Sequence, residues 1–255
     1  EAVVDARLNT MIANGDDVRL STIEHLMAAF SALGVSNAVV EVDGPELPIL
    51  DGSALDFVNL LDRAGFRPQP QPQRYIEILE TVHVVEGDKH AALMPCDRFE
   101  MRFEIDFPSK VIGNQVIDFV VDEATFRREI MACRTFGFAH EVEALRKAGL
   151  ARGGSLENAV VIDGDDILNP GGLRMEREFV RHKALDAIGD LYVLGAPLLG
   201  RYEGYKAGHA LNNKLVRALL AAPHAWREVT RVPELAQAGY CLLYTSDAAD
   251  DLLCV

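Results

Sequence analysis

The pattern of apolar and polar positions predicts a helix near the start of the chain. Residues 21–33, STIEHLMAAFSAL, carry apolar side chains at helical spacing. Ser21 and Glu24 have the spacing of a capping box, in which the glutamate bonds back to the start of the helix. Residues 37–43, NAVVEVD, predict a strand, and residues 54–65, ALDFVNLLDRAG, predict a second helix.

A proline-rich stretch separates this first part from the rest of the chain. Residues 67–74, RPQPQPQR, alternate proline and glutamine, which sustain neither a helix nor an inner strand. We therefore expect a first domain over residues 1–66, a linker over residues 67–74 and a second domain over residues 75–230.

The pattern of the second domain mixes strands and helices. Residues 75–95 predict a hairpin that turns at Gly87-Asp88, and Phe99 to Phe107 alternates apolar and charged side chains without a break. The remaining segments are predicted as strands (VIDFVV, ENAVVID, ILNPGGL, LLGRYEGYKA) and helices (DEATFRREIMAC, HEVEALRKAG, EFVRHKALDAIGDL, ALNNKLVRALLAA). The expected fold class is α+β, with antiparallel sheets packed on helices.

Composition narrows the function classes. The net charge of −14 argues against a nucleic-acid surface, although a local basic cluster could still hold an anionic ligand. No apolar run approaches the roughly 20 residues of a membrane span, so we expect no stable membrane insertion and a cytoplasmic location. The four cysteines show no CxxC spacing and no disulfide framework.

Both ends of the sequence look unusual. The chain opens at Glu1 in the middle of an apolar pattern, and we expect that it lacks an N-terminal part. Residues 241–255, CLLYTSDAADDLLCV, have neither helical nor strand periodicity and resemble the translation of a sequencing adapter. We expect this tail to be artefactual and leave it out of the fold prediction.

The helix predicted over residues 178–191 carries three polar side chains at steps of four. His182, Asp186 and Asp190 fall on one face, because four residues advance only about 40° around the axis. Such a face is most often a solvated surface. A histidine and a carboxylate at this spacing can also ligate one cation from adjacent turns, provided that a third ligand comes from elsewhere.

Two other histidines are candidates for this chemistry. His25 follows Glu24 in the first predicted helix, although a capping glutamate and a half-buried helix histidine would explain the pair equally well. His209 follows Gly208 at a helix start, where we expect an accessible, mobile junction. There it could act as an acid or base or have no task.

Four ordered motifs carry a resemblance to a known family. The segments STIEHLMAAFSALGVSNAVVEVDGPELPILDGSALDFV, RTFGF, FVRHKALDAIGD and GHALNNK resemble the UDP-3-O-acyl-N-acetylglucosamine deacetylases, the zinc amidases of lipid A biosynthesis in Gram-negative bacteria. The similarity extends to about Thr230. It implies two β-α-α-β domains with the active site between them. Family members have further N-terminal residues, including strands of the first domain.

The resemblance also implies a role for each matching residue. Zn²⁺ would be held by His25, His182 and Asp186, which leaves a fourth position for water. Glu24 would be the general base, and His209 the protonated acid whose partner is Asp190.

Further matches concern the substrate. Thr135 corresponds to the hydroxyl that donates to the tetrahedral oxyanion, and Phe136 to a ring that lines the pocket. Lys183 corresponds to a cation that contacts the phosphates of the nucleotide. The passage for the acyl chain would be lined by Val142, Leu156 and Ala159, which periodicity alone would place in the core.

The reaction so implied removes the 2-acetamido group of UDP-3-O-[(R)-3-hydroxyacyl]-N-acetylglucosamine as acetate. Two alternatives stay open at this point. The chain could be another zinc amidohydrolase on the same scaffold, or a non-catalytic fragment that cannot assemble its site. Nothing in the sequence suggests an obligate oligomer, so a monomer is expected.

Overall fold

The structure, a computed structural model, describes residues 2–141 and 153–231. Its strands are, in chain order, β1 (Val3–Asp5), β2 (Met11–Ala13), β3 (Arg19–Leu20), β4 (Gln73–Ile78), β5 (Val82–Glu86), β6 (Lys89–Met94), β7 (Phe99–Asp106), β8 (Asn114–Val120), β9 (Phe136–Phe138), β10 (Val160–Asp163), β11 (Asp166–Ile167), β12 (Leu198–Tyr205) and β13 (Trp226–Arg231). Its helices are α1 (Glu24–Ala32), α2 (Leu55–Ala64), α3 (Glu123–Thr125, continued by a π-helix over Phe126–Ile130), α4 (Glu178–Tyr192) and α5 (His209–Leu220).

The strands form three sheets, and the α+β prediction is confirmed. β1, β2 and β3 make a small antiparallel sheet, and β9, β10 and β11 make another small sheet in which β9 and β10 are parallel. The remaining seven strands form the main sheet around β12. β12 is antiparallel to β6 but parallel to β4 and β7, so this sheet is mixed rather than purely antiparallel.

The main sheet follows the predicted alternation. In β7, Met101, Phe103 and Ile105 are buried, whereas the charged residues between them face the other way. The β5–β6 hairpin turns at Gly87, whose φ of +62° suits glycine. These two predictions are confirmed. The buried side chains of β7 belong to the same hydrophobic core as Phe179, Leu185 and Ile188 of α4.

Helix α4 lies inside the molecule rather than on its surface. All of its residues are buried except Arg181 and Lys183, which are half-buried. Its polar face is covered chiefly by α1, which crosses it at Gly189. The alternative of a solvated surface face is therefore wrong.

Three local predictions are also wrong. Residues 37–43 form no strand, and Val39 is 92% exposed, because none of the described strands pairs with this alternating segment. The capping box is absent, since α1 begins at Glu24 without a side-chain cap. The irregular stretch after α2 ends earlier than the predicted linker, because β4 already begins at Gln73.

Several predictions are not tested by the fold. The division into two domains stays a prediction. The artefactual tail over residues 241–255 and most of the predicted HEVEALRKAG helix lie outside the described residues. Across the described part of the chain, no helix has both the length and the apolarity that crossing a bilayer requires.

The crossing of α1 and α4 yields a stability prediction for Gly189→Ala. A Cβ at residue 189 would lie 1.9 Å from the backbone oxygen of Glu24, which cannot move without shifting α1. We expect the free energy of unfolding to fall by about 1–3 kcal/mol or more, as in other overpacked cores. In an uncrowded helix the same change would stabilise the protein by roughly 1 kcal/mol. The sign of the change in the free energy of unfolding therefore distinguishes a crowded crossing from an uncrowded one.

Chemical denaturation of the variant measures this change. Gly44→Ala is the matched control, because nothing lies within 4 Å of a Cβ at that position. A Gly189→Ala variant as stable as the parent would show that the two helices do not need this close approach.

Candidate metal and catalytic site

Helices α1 and α4 bring the three predicted metal ligands together. The candidate ligand atoms of His25, His182 and Asp186 all lie within 4.8 Å of one another, and the three residues are buried. Nε2 of His25 is 3.5 Å from Oδ1 of Asp186, and Nε2 of His182 is 3.3 Å from the same oxygen. Two imidazoles and a carboxylate are a donor set that suits Zn²⁺.

The hydrogen bonds around His182 orient it towards this centre. Its Nδ1–H donates to the carbonyl of Cys133 at 3.0 Å, so the lone pair of Nε2 faces Asp186. Burial lowers the pKa of His182 to about 4, which outweighs the opposing effect of Asp186. The imidazole is therefore neutral, as a metal ligand must be.

The two oxygens of Asp186 have different partners. Oδ1 faces both imidazoles, whereas Oδ2 accepts a hydrogen bond from Nζ of Lys183 at 2.7 Å. Burial alone would raise the pKa of this carboxyl, but neighbouring cations, Lys183 and His209 among them, outweigh it and hold the pKa well below its usual range. Asp186 is thus an ionised carboxylate whose Oδ1 faces both imidazoles of the candidate metal site.

Glu24 lies beside this centre at the start of α1. Its Oε2 accepts the backbone N–H of Thr10 at 3.0 Å, and its Oε1 lies 3.9 Å from Nε2 of His209. Burial is the main effect that raises the pKa of Glu24, and the charges of Asp190 and Asp186 raise it further. A carboxylate with a raised pKa is a better proton acceptor, so the position suits a general base.

His209 and Asp190 form a second charged pair on the same side of α4. Nδ1–H of His209 donates to Oδ2 of Asp190 at 2.9 Å. Burial lowers the pKa of His209, but the carboxylates of Asp190 and Asp186 outweigh burial and raise the pKa to about 9. The side chain of His209 is only 10% exposed, so the expected accessible junction at the start of α5 is wrong.

Comparisons with known proteins show the family to which the chain belongs. A family model described as LpxC, UDP-3-O-acyl N-acetylglycosamine deacetylase, matches residues 1–221. The chain belongs to this deacetylase family.

Individual deacetylases of the family are close in sequence. The UDP-3-O-acyl-N-acetylglucosamine deacetylase of Phenylobacterium zucineum (strain HLK1) is 66% identical over 238 residues, which are 93% of this chain and 81% of that protein. The deacetylase of the same name from Shewanella sp. (strain W3-18-1) is 51% identical over 232 residues, which are 90% of this chain and 76% of that protein.

Of two residues that the family resemblance assigns to the substrate, Phe136 lies near the candidate ligand His182. Thr135 directly precedes β9, and its backbone N–H donates to the carbonyl of Gly52 at 2.8 Å. The ring of Phe136 lies 5.0 Å from that of Phe179 and 6.4 Å from that of His182, as measured between centroids. The RTFGF motif of the family therefore borders the metal centre.

Lys183 joins the metal centre to a basic cleft. Nζ of Lys183 holds Asp186, and the same side chain helps to line an open cavity of about 170 Å³. Lys89, Lys206 and Asp106 also line this cavity, and Lys206 is held by Asp88 at 2.9 Å and by Asp106 at 3.1 Å. No sequence pattern singles out Lys89 or Lys206, which lie at the start of β6 and directly after β12.

The structure describes two of the three residues predicted for the acyl passage. Val142 lies outside the described residues. The carbonyls of Leu156 and Ala159 both accept hydrogen bonds from the amide of Asn169, each at 2.8 Å. Leu156 is 42% exposed, and Ala159 directly precedes the β10 residue that pairs with Phe136.

Sequence reasoning missed several residues that hold the catalytic groups. The amide of Asn212 donates to Asp190 at 2.8 Å, and the hydroxyl of Tyr202 donates to Oδ1 of Asn212 at 2.7 Å. Asn212 could have been found, since it follows His209 by one helical turn. Thr10 donates its hydroxyl to Asp190 at 2.6 Å but gives no signal in sequence, because 180 residues separate them.

A buried ion pair also escaped prediction. Nε of Arg134 donates to Oε1 of Glu178 at 2.9 Å, and Nη2 donates to Oε2 at 3.1 Å. The pair joins the start of α4 to the segment that supplies the carbonyl of Cys133 and the backbone of Thr135. It thereby ties the RTFGF motif to the helix that carries the candidate ligand His182.

The geometry predicts how single substitutions change the metal content. We expect His25→Ala, His182→Ala and Asp186→Ala each to abolish tight binding of a divalent metal, because two remaining ligands do not hold it. Asp190→Ala should retain the metal, since Asp190 bonds His209, Asn212 and Thr10 instead. Mass spectrometry of the purified variants measures the metal. Equal loss in all four variants would contradict this division of roles.

Proposed function

We propose that the protein hydrolyses the 2-acetamido group of UDP-3-O-[(R)-3-hydroxyacyl]-N-acetylglucosamine, a step of lipid A biosynthesis. The products are a free amine and acetate. The observation that carries the proposal is the position of Glu24 and of the His209–Asp190 pair beside the group of His25, His182 and Asp186. Membership of the deacetylase family agrees with this reaction.

The metal in this proposal is Zn²⁺, held by His25, His182 and Asp186. The buried donor set fits it, because both imidazoles turn Nε2 towards one ionised carboxylate oxygen. When bound there, the ion supplies a Lewis acid that polarises the amide carbonyl and acidifies water.

Glu24 removes the proton from the attacking water in this mechanism. As the water oxygen bonds to the acetamide carbon, the proton passes to Oε1 of Glu24, because Oε2 is engaged by the backbone of Thr10. The hydroxyl of Thr135 then donates to the oxygen that gains negative charge.

His209 supplies the proton that the leaving group needs. The carbon–nitrogen bond breaks as Nε2–H of His209 protonates the amine. Meanwhile Nδ1–H of His209 keeps its hydrogen bond to Asp190. Nε2 is 3.9 Å from Glu24 and 3.9 Å from Asp186, so the acid and the base face one reaction volume. Asp190 keeps His209 protonated and holds its ring in place.

The basic cleft would receive the diphosphate of the nucleotide. Lys183, Lys89 and Lys206 bring positive charge to a protein with a net charge of −14, which otherwise repels an anion. Phe136 would line the sugar pocket, and Val142, Leu156 and Ala159 would border the acyl chain. The proposed working form is a cytoplasmic monomer.

A substrate panel tests this proposal. The purified chain is incubated with the UDP-sugar with and without its 3-O-acyl chain, and the amine and acetate are followed by mass spectrometry. Release of acetate only from the acylated sugar supports the proposal. Equal turnover of both sugars would favour another zinc amidohydrolase. The absence of both turnover and bound zinc would favour a fragment that cannot assemble its site.

The role of Glu24 predicts the effect of Glu24→Ala. Turnover should fall by a factor on the order of 10² or more, as expected for the loss of a general base. The metal should stay bound, since Glu24 is not among the three ligands. A rate near that of the parent, at equal metal content, would refute the assignment.

The charge of His209 predicts the basic limb of the pH profile. The protonated form must donate, so activity should fall as pH rises through the pKa of His209, which the surrounding carboxylates raise to about 9. A bound cation would offset the charge of Asp186, so the limb should lie at or below that pH. In His209→Gln this limb should disappear from the residual activity, and an unchanged profile would exclude His209 as the acid.

A further inference from the structure

Thr10 hydrogen-bonds the two carboxylates on which the proposed mechanism depends. It directly precedes β2 and is 3% exposed. Its backbone N–H donates to Oε2 of Glu24 at 3.0 Å, and its hydroxyl donates to Oδ1 of Asp190 at 2.6 Å. Its carbonyl accepts the N–H of Ile23 at 3.3 Å, at the start of α1. Every polar atom of this residue is therefore engaged.

These bonds decide which carboxylate oxygens are left for the reaction. With Oε2 of Glu24 on the backbone of Thr10, Oε1 is the oxygen that faces His209. With Oδ1 of Asp190 on the hydroxyl of Thr10, Oδ2 takes the shorter bond from His209. A hydroxyl that donates to a buried carboxylate makes a strong, charge-assisted hydrogen bond. This bond restricts rotation of Asp190, the partner of the proposed acid His209.

We propose that Thr10 is a positioning residue for the deacetylation, acting through Asp190 on His209. The inference rests on the proposed function. The hydroxyl keeps the carboxylate of Asp190 turned towards His209, and the backbone amide keeps Glu24 turned towards the same reaction volume. One residue of the β1–β2 connection thus aligns groups that belong to two different helices.

Thr10→Val separates this role from a merely structural one. Valine has nearly the same shape and retains the backbone N–H, so only the bond to Asp190 is lost. We expect kcat to fall by about 10- to 100-fold, as for loss of a hydrogen bond to a charged group, with KM within about threefold. Metal content should stay unchanged, and Thr10→Ser should restore most of kcat.

Thr22→Val is the matched control. The hydroxyl of Thr22 donates to Oε1 of Glu46 at 2.7 Å, and Thr22 is 6% exposed. It is therefore another buried threonine on a carboxylate beside the start of α1, but it bonds neither Asp190 nor Glu24. We expect it to lower stability as Thr10→Val does while keeping kcat.

A double-mutant cycle identifies the group through which Thr10 acts. In an Asp190→Ala background the hydroxyl has lost its acceptor, so adding Thr10→Val should change kcat by less than about threefold. An undiminished loss in that background would overturn the inference, as would a normal kcat in Thr10→Val itself. If Thr10→Val does not fold, a comparison of kcat between Thr10→Ala and Thr10→Ser tests the inference in the same way.

Crystal structures keep the inference separate from the proposed function. In Thr10→Val the side chains of Asp190 and His209 should rotate from their parental positions, and in Thr22→Val they should not. Unmoved side chains in Thr10→Val would refute the inference even if the chain has no deacetylase activity. If the parent chain has no deacetylase activity while the side chains do move in Thr10→Val, the proposed function fails and the positioning contact stands.

Discussion

The close crossing of α1 over α4 is the constraint on which the site depends. The backbone oxygen of Glu24 lies 1.9 Å from where a Cβ of residue 189 would be, so only glycine permits this approach. Ala28 and Ala29, which follow Glu24 by about one turn of α1, are fully buried. The close approach at Gly189 brings His25 within 3.5 Å of the carboxylate of Asp186 on the facing helix. A few ångströms of separation would remove one of the three ligands and the proposed base together.

The crossing of α1 over α4 buries several charged side chains, each of which would be unfavourable if it were buried alone. The carboxylates of Glu24, Asp186 and Asp190 share one pocket with two cations, Lys183 and the protonated His209. Asp186 has a lysine partner and a lowered pKa, whereas Glu24 has a backbone amide and a raised pKa. The surplus negative charge favours a bound cation, and the unequal pKa values let neighbouring carboxylates serve as ligand and as base.

Sequence reasoning succeeded where the information is local. Helical spacing placed His182, Asp186 and Asp190 on one face, and the motifs added Glu24, His25 and His209. It failed where partners come from distant segments. Alternation in residues 37–43 could not form a strand without a partner, and burial of α4 depends on α1 rather than on its own pattern. Glu24 matched a capping box, yet Thr10 provides its hydrogen bond instead.

The segment between α3 and β9 shows why such distant contacts matter for chemistry. Three consecutive residues there bond three different parts of the molecule. The carbonyl of Cys133 accepts His182, Arg134 pairs with Glu178, and the N–H of Thr135 donates to Gly52. A buried ion pair gains little stability, because desolvation offsets its attraction, but its several hydrogen bonds fix one geometry. Since Arg134 stands between the residue that orients a metal ligand and the proposed oxyanion donor, this pair couples the two halves of the reaction centre.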